Sequence, residues 1–178
     1  AYMLRLDSSG EVLDRWDASA ETAPDRRIGE SSLRTMRRGP DGRWWLLSAD
    51  AVHRQVEGGA FVEAWRADDA ALVTMAFQGQ RLWLAADSTL ESFRVDGGRL
   101  TPEQRFTAGS GLPVGRVQAM VPRGDDLWLL LSIGLARLDT ARGEFRLFSA
   151  SEGLMQSEFN PEAVVELSDG RLAAGTNN

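Results

Sequence analysis

Residues 125–130 (DDLWLL) have three counterparts in the chain, each an apolar segment that follows a polar or glycine-containing turn. The counterparts are residues 42–47 (GRWWLL), 80–85 (QRLWLA) and 170–174 (GRLAA). Aligned on Trp45, Trp83, Trp128 and Ala173, the four segments recur at steps of 38, 45 and 45 residues. The chain is therefore built from an internal repeat, and this period is typical of small supersecondary units that stack on one another.

The residues around the three tryptophans repeat at the same offsets. An apolar residue follows each Trp by seven positions: Val52, Leu90 and Leu135. Each Trp is also preceded by an apolar residue and a methionine: Leu33 and Met36, Leu72 and Met75, and Val117 and Met120. We therefore expect Trp45, Trp83 and Trp128 to occupy one structural position and to pack in the core. A row of tryptophans that stacks against sugar rings is the alternative.

Each repeat is predicted to form four short strands. Turn formers separate the first strand from the second, as in residues 39–42 (GPDG), because Pro, Asp and Gly adopt turn geometry at little cost. The second strand is almost continuously apolar, as in residues 127–131 (LWLLL), which is typical of a strand buried on both faces. Four-stranded units with a period of about 40–45 residues are typical of one fold class. The sequence therefore predicts an all-β propeller with four-stranded antiparallel blades.

The two ends of the chain hold parts of blades. Residues 3–7 (MLRLD) match residues 135–139 (LARLD) at an offset of 132, which is three periods of 44. We expect a single propeller region over 1–178, with a half blade at 2–16, blades at about 33–63, 72–106 and 115–148, and a half blade at 163–176. Strand complementarity alone favours pairing between the strand near Leu172 and the strand near Leu4, which would close a small ring.

Two groups of motifs lie in the second half of the chain. The first comprises residues 110–113 (SGLP), followed by Val117, 126–128 (DLW) and 134–139 (GLARLD). The second comprises residues 151–160 (SEGLMQSEFN), 168–172 (SDGRL) and 175–178 (GTNN). Together they resemble the two-component regulator propeller repeat, and the second group is similar to the last blade of that family. The resemblance is good over residues 107–178 and weak over residues 1–106, and Met155 stands where the family usually has proline.

The resemblance implies a location and a set of partner domains. The chain would be part of the periplasmic sensor region of a bacterial receptor in the inner membrane. The parent chain would also carry an immunoglobulin-like domain, a membrane helix, and a histidine kinase or diguanylate cyclase output domain. Because the rings of this family are larger than four blades, we expect an incomplete arc of a larger ring, cut from a longer parent. Open blade edges would promote contacts between molecules, including a homo-oligomer.

The composition excludes several kinds of chemistry. The chain has no Cys and no Lys, and His53 is its single His. Disulfides, thiolate nucleophiles, Schiff-base lysines and multi-histidine zinc sites are therefore excluded. The net charge of −6 argues against nucleic-acid binding, and no apolar run is long enough to insert into a membrane. We expect no catalytic residue, no metal and no cofactor.

Ligand binding is expected in the loops at one end of the central channel, where loops from every blade converge. The connections that lead into first strands include residues 112–116 and 156–160, and the polar groups to test there are Arg116, Glu158 and Asn160. The ligand would be a small molecule or a glycan. The alternative is that Glu158 and Asn160 only fix their connection through hydrogen bonds to the backbone.

Other candidate residues have simpler interpretations. Because Val52 takes the core position, His53 is expected to point the other way, as a lone surface histidine. A solvated strand face explains the only basic cluster better than an anionic ligand does; the cluster comprises Arg26, Arg27, Arg34, Arg37, Arg38 and Arg43. The acidic pairs Asp68-Asp69 and Asp125-Asp126 lack the spacing of a calcium loop and are expected to lie in solvated turns.

These observations favour a ligand-sensing or interaction module, not an enzyme. Two alternatives stay open. A propeller lyase or glycosidase that acts on polysaccharide would need a pair of channel carboxylates at a defined separation. A bare scaffold would bind other proteins. The propeller fold is shared by too many functions to decide among them.

Overall fold

The computed structural model describes residues 2–19, 21–23, 26–28, 31–148, 150–154 and 158–176. These residues form sixteen β-strands joined by turns and short 3-10 segments, and they include no α-helix. No helix in the described part of the chain has the length and apolar character that crossing a membrane requires. The prediction of an all-β fold is confirmed.

The strands form three four-stranded antiparallel sheets and two two-stranded ones, and in each the strands pair in chain order. The N-terminal half blade comprises β1 (Tyr2–Leu6) and β2 (Val12–Asp17). Blade 1 comprises β3 (Leu33–Arg38), β4 (Trp44–Ser48), β5 (Ala51–Gln55) and β6 (Phe61–Arg66). Blade 2 comprises β7 (Leu72–Gln78), β8 (Arg81–Ala86), β9 (Leu90–Asp96) and β10 (Arg99–Phe106). Blade 3 comprises β11 (Val117–Arg123), β12 (Asp126–Leu131), β13 (Gly134–Asp139) and β14 (Glu144–Phe148), and the C-terminal half blade comprises β15 (Phe159–Glu166) and β16 (Leu172–Thr176).

The two half blades remain separate sheets. Within the described residues, β1 pairs with β2 and β16 pairs with β15, and no pairing joins the strand near Leu172 to the strand near Leu4. The fold is therefore an incomplete propeller arc, as predicted. The four-bladed ring that strand complementarity favoured is not formed.

Each blade buries both faces, one against the sheet before it and one against the sheet after it. In β4, Trp44 and Leu46 face the N-terminal half blade, whereas Trp45 and Leu47 face blade 2. This alternation follows from the two-residue period of a strand. Because both faces are covered, the second strands of the three blades are almost continuously apolar. Burial of each Leu in them contributes about 1.5–3 kcal/mol.

The three tryptophans lie at equivalent positions on second strands, but their burial differs. Trp45 and Trp83 are fully buried. Their indole N–H groups donate to Asp41 Oδ1 (3.3 Å) and Gln78 Oε1 (3.0 Å), respectively. Trp128 lies on β12 and is only half-buried. Its face of blade 3 packs against the C-terminal half blade, and two strands cover less of that face than four would.

The first strands of successive blades lie side by side and form the inner surface of the arc. Each has a shift in pairing register near its start: between Leu33 and Thr35, Leu72 and Thr74, Val117 and Ala119, and Phe159 and Val164. A bulge of this kind leaves at least one residue unpaired and changes the direction of its side chain. The inner surface therefore carries side chains that a regular strand would turn toward a neighbouring blade.

His53 is not on the surface, so that prediction was wrong. It lies opposite Leu46, on the face toward the N-terminal half blade, and is only 7% exposed. The error arose because a blade in a propeller is covered on both faces, so pointing away from Val52 does not lead to solvent. Within the described residues the Nδ1 atom of His53 has no hydrogen-bond partner. Burial holds the pKa of His53 below its ordinary value of 6.5. Among the smaller effects, the charge of Arg66 also lowers this pKa, whereas the charges of Glu63 and Asp50 raise it.

The buried imidazole should make the protein less stable in mild acid. Because the folded pKa of His53 is lowered, the unfolded chain binds more protons below about pH 6.5, and the free energy of unfolding falls as the pH falls. Urea unfolding between about pH 7.5 and pH 5.5 measures this slope in the native chain and in His53→Gln, which does not titrate. The variant should lose less stability over this range. Equal losses in the two proteins would assign the acid sensitivity to the carboxylates instead.

Candidate functional site

The predicted ligand residues lie where two neighbouring first strands begin. Arg116 directly precedes β11, Glu158 directly precedes β15, and Asn160 is the second residue of β15. Since β11 and β15 are neighbours and run in the same sense, these residues lie at one end of the arc. We refer to Arg116, Glu158 and Asn160 as the rim residues. Gln156, at the far end of the predicted connection, lies outside the described residues.

Arg116 is tied to the blade before it. Its guanidinium forms an ion pair with Asp87 at 3.0 Å, and both side chains are largely exposed. Its backbone N–H donates to Ser132 Oγ (3.0 Å), and its carbonyl oxygen accepts from the Ser132 N–H (2.8 Å). The backbone of Arg116 is thus fixed by blade 3, while its side chain reaches toward blade 2. An exposed ion pair of this kind contributes only about 0–1 kcal/mol, so a ligand could replace Asp87 as the partner.

A shallow cleft adjoins Arg116. It has a volume of about 310 Å³ and lies between residues 87–88 of blade 2 and the connection 108–116. Val114 stands 77% exposed beside it. Glu158 is exposed and Asn160 is half-buried. In the part of the chain that the structure describes, neither of these two side chains has a hydrogen-bonding or ionic partner.

The inner surface carries a polar group that the sequence did not indicate. Glu162 on β15 forms an ion pair with Arg37 on β3, three blades earlier in the chain. Thr35 accepts a hydrogen bond from Arg37 Nη1 (2.6 Å) and donates to Glu162 Oε2 (3.4 Å). The other carboxylate oxygen, Oε1, is buried without a partner among the described residues. The pair therefore reaches across the concave side of the arc.

Glu162 also has an unusual backbone. Its φ of +57° makes it the one non-glycine residue with positive φ in the described chain. This conformation costs about 1–3 kcal/mol for an ordinary residue and persists only where the surroundings impose it. It lies within the register shift between Phe159 and Val164. The only sequence signal near it is the Asn-Pro pair at 160–161, which favours a turn.

The basic cluster is divided among different surroundings. Arg37 pairs with Glu162, and Arg26 pairs with Asp14 at 2.8 Å while lying over the Trp16 ring. Arg34 and Arg38 lie exposed on β3, and Arg43 is half-buried in the turn before β4. The prediction of a solvated strand face therefore fits Arg34 and Arg38 and does not fit the rest of the cluster.

The acidic pairs do not assemble into a cation site. Asp68 and Asp69 lie in an exposed bend, and Asp126 faces Arg137 at 3.6 Å. Among the described residues, no three His, Asp or Glu side chains are close enough together to hold a metal ion.

Several solved structures have a similar fold. The extracellular domain of a candidate hybrid two component system, BT3049 from B. thetaiotaomicron, matches with a TM-score of 0.74 and 17% identity, over 95% of this chain and 23% of that one. The extracellular domain of BT4673 from the same organism, also described as a hybrid two component system, matches with a TM-score of 0.66 and 18% identity, over 85% and 20%. A candidate 6-phosphogluconolactonase from Bacteroides uniformis matches with a TM-score of 0.63 and 18% identity, over 96% and 56%.

These comparisons define the fold. No family model matches the sequence, and no curated protein matches it. At such low identities the likeness to solved structures shows the fold alone, and the chain spans between a fifth and a quarter of the two receptor domains. Both of those domains come from the kind of protein that the repeat resemblance implies.

Proposed function

We propose that this chain is a ligand-sensing or interaction module, part of the periplasmic propeller of a bacterial receptor in the inner membrane. The observation that carries the proposal is the fold likeness, over 95% of the chain, to the extracellular domain of a hybrid two component system. The motif at 151–160 (SEGLMQSEFN) independently resembles the last blade of the two-component regulator propeller. Signalling domains further along the parent chain, such as a kinase or cyclase, belong to the same proposal.

The rim residues are the proposed ligand contacts. Arg116 offers guanidinium donors, Glu158 offers carboxylate acceptors, and the Asn160 amide offers both. This mixture suits a ligand rich in hydroxyl groups, such as a glycan or a small polar molecule. Two of the three side chains have no partner within the described residues, so binding there would break no existing contact.

The ion pair between Arg116 and Asp87 suggests how binding could be transmitted. It connects the start of blade 3 to the turn of blade 2 at 3.0 Å. A ligand that competes for Arg116 would release Asp87 and change the relative stability of two blade packings. A ligand shifts such an equilibrium only by its difference in affinity for the two states. The downstream domains would respond to that shift.

The test uses the full parent receptor in cells grown on single purified polysaccharides, with transcription of its target genes as the readout. Arg116→Ala and Glu158→Ala should each raise the concentration of the activating polysaccharide needed for half response by about tenfold, as loss of a charged hydrogen bond would. Arg105→Ala is the matched control. Arg105 is exposed and paired with Glu91 (3.3 Å), but it lies on the outermost strand of blade 2.

Each result separates the alternatives. An unchanged response in Arg116→Ala and Glu158→Ala would reject the rim as the ligand site. Cleavage of the polysaccharide by the purified chain would favour the enzyme alternative. A response that needs a second protein and no glycan would favour the protein-binding scaffold.

A further inference from the structure

A polar cleft of about 420 Å³ lies between blades 2 and 3, which are both complete four-stranded sheets. Its walls come from the turns that follow β7 and β11 and from the strands of blade 2, so it lies at the end of the arc opposite the rim residues. The volume is in the range of sites that hold small molecules, about 300–1,000 Å³. Among the described residues, each one that lines the cleft is polar or a glycine. The cleft therefore suits a small polar ligand.

Hydrogen bonds hold the two walls of the cleft in place. The Oε1 atom of Gln78 accepts from the Trp83 indole N–H (3.0 Å), so its Nε2 group points to blade 3 and donates to the Gly124 carbonyl oxygen (2.6 Å). On the blade 3 wall, the carbonyl oxygen of Asp125 accepts from the N–H (2.9 Å) and the hydroxyl (2.7 Å) of Thr140. The cleft is therefore preformed, which lowers the entropic cost of binding a ligand.

Arg94 provides a positive charge on the blade 2 wall. It lies directly opposite Arg81 on the neighbouring strand, and like charges in such a cross-strand pair are destabilising. Arg81 is neutralised by Glu103 at 2.9 Å and lies over the Trp83 ring, 5.6 Å from the centroid. Arg94 is exposed, and no carboxylate in the described part of the chain forms an ion pair with it. Its guanidinium is therefore available to an anionic group of a ligand.

Asp125 provides a negative charge on the blade 3 wall. It is exposed in the turn between β11 and β12, and the described residues give its carboxylate no ionic or hydrogen-bonding partner. Arg94 and Asp125 line the same cleft but are too far apart to form an ion pair with each other. A ligand with a single charge would be repelled by one of these two groups. A ligand with charges of both signs would neutralise both.

We infer that this cleft binds a free α-amino acid with a small polar side chain. An α-amino acid carries a carboxylate and an ammonium group on one carbon atom, so it can bridge two protein charges that do not reach each other. Its carboxylate would pair with Arg94, since a guanidinium matches a carboxylate in a bidentate contact, and its ammonium group would pair with Asp125. The exposed Gln80 would contact its side chain. The inference does not depend on the rim residues.

Isothermal titration calorimetry of the purified chain tests the inference with L-serine as the probe. Two analogues of serine each lack one of its charges: 2-aminoethanol has no carboxylate, and 3-hydroxypropionate has no ammonium group. Serine should bind saturably, and each analogue should bind at least about tenfold more weakly, because it loses one charged hydrogen bond and leaves one protein charge unpaired. The affinity for serine should fall as the salt concentration rises.

Two variants assign the charges of the ligand to the two walls. Arg94→Gln should weaken serine binding by at least about tenfold and remove the advantage of serine over 2-aminoethanol. Asp125→Asn should weaken it similarly and remove the advantage of serine over 3-hydroxypropionate, while the backbone bonds to Thr140 remain. Arg99→Gln and Asp96→Asn are the matched controls, because they remove the same charges from exposed positions in blade 2 that do not line the cleft.

Unchanged circular dichroism would show that each variant folds. The inference is wrong if serine shows no saturable binding up to about 10 mM, or if either analogue binds as tightly as serine. It is also wrong if a control variant weakens serine binding as much as Arg94→Gln or Asp125→Asn does.

Discussion

Replacing Trp83 with alanine should lower the free energy of unfolding by about 3–5 kcal/mol, the usual cost of truncating a large aromatic side chain in a core. Trp83 is fully buried between blades 2 and 3. Its ring stacks on Phe106 with centroids 6.3 Å apart, and Phe106 meets Phe145 of blade 3 at 5.3 Å. The substitution leaves a cavity and removes the hydrogen bond to Gln78. Urea unfolding followed by circular dichroism measures the loss.

Trp128→Ala provides the matched comparison, because Trp128 has the same position in the repeat. It stacks on Phe148 with centroids 5.4 Å apart, but it is only half-buried. The alanine variant should therefore lose less stability than Trp83→Ala. Equal losses would mean that the C-terminal half blade covers Trp128 as completely as blade 3 covers Trp83, contrary to the packing described above.

The tryptophan positions could be predicted because a repeat provides its own alignment. Three segments that share offsets to an apolar residue and to a methionine must adopt the same local structure, whatever the neighbouring sheets do. The four-strand pattern follows from the turn formers and from second strands that are almost continuously apolar. The periodicity of the sequence is therefore sufficient to predict the fold class and the order of strands within each blade.

Contacts between blades were not predictable in the same way. The surface prediction for His53 failed because the sequence of one blade does not show how its second face is covered. The ion pair between Arg37 and Glu162 joins strands that are 125 residues apart. Its geometry depends on the curvature of the arc and on a bulge, and neither has a period in the sequence.

The position of the rim residues at one end of the arc could be predicted from the repeat, but their contacts could not. The connections into first strands lead to one end of the arc, so Arg116 and Glu158 lie at the same end because the blades repeat. The partner of Arg116 is Asp87, in a turn of the preceding blade.

Gly39→Ala should destabilise the protein by about 1–3 kcal/mol, although alanine is acceptable at most turn positions. A Cβ atom at residue 39 would lie 2.2 Å from Nε1 and 2.5 Å from Cδ1 of Trp45. The indole cannot move away easily, because Trp45 is fully buried and its N–H is bonded to Asp41. The added methyl group must therefore displace the turn or the ring. Urea unfolding measures the loss, and tryptophan fluorescence reports any movement of the ring.

Gly109→Ala is the control for this prediction. Neither Gly39 nor Gly109 has a positive φ, so backbone strain is absent in both, and the nearest atom to a Cβ at residue 109 is Thr107 Oγ1 at 3.6 Å. The control should change stability by no more than about 0.5 kcal/mol. A second arm introduces Gly39→Ala into a Trp45→Leu background, where the clashing atoms are gone. The cost of Gly39→Ala should be much smaller there, since residues in contact give non-additive effects. An unchanged cost in that background would show that the turn itself, and not the indole, requires glycine at position 39.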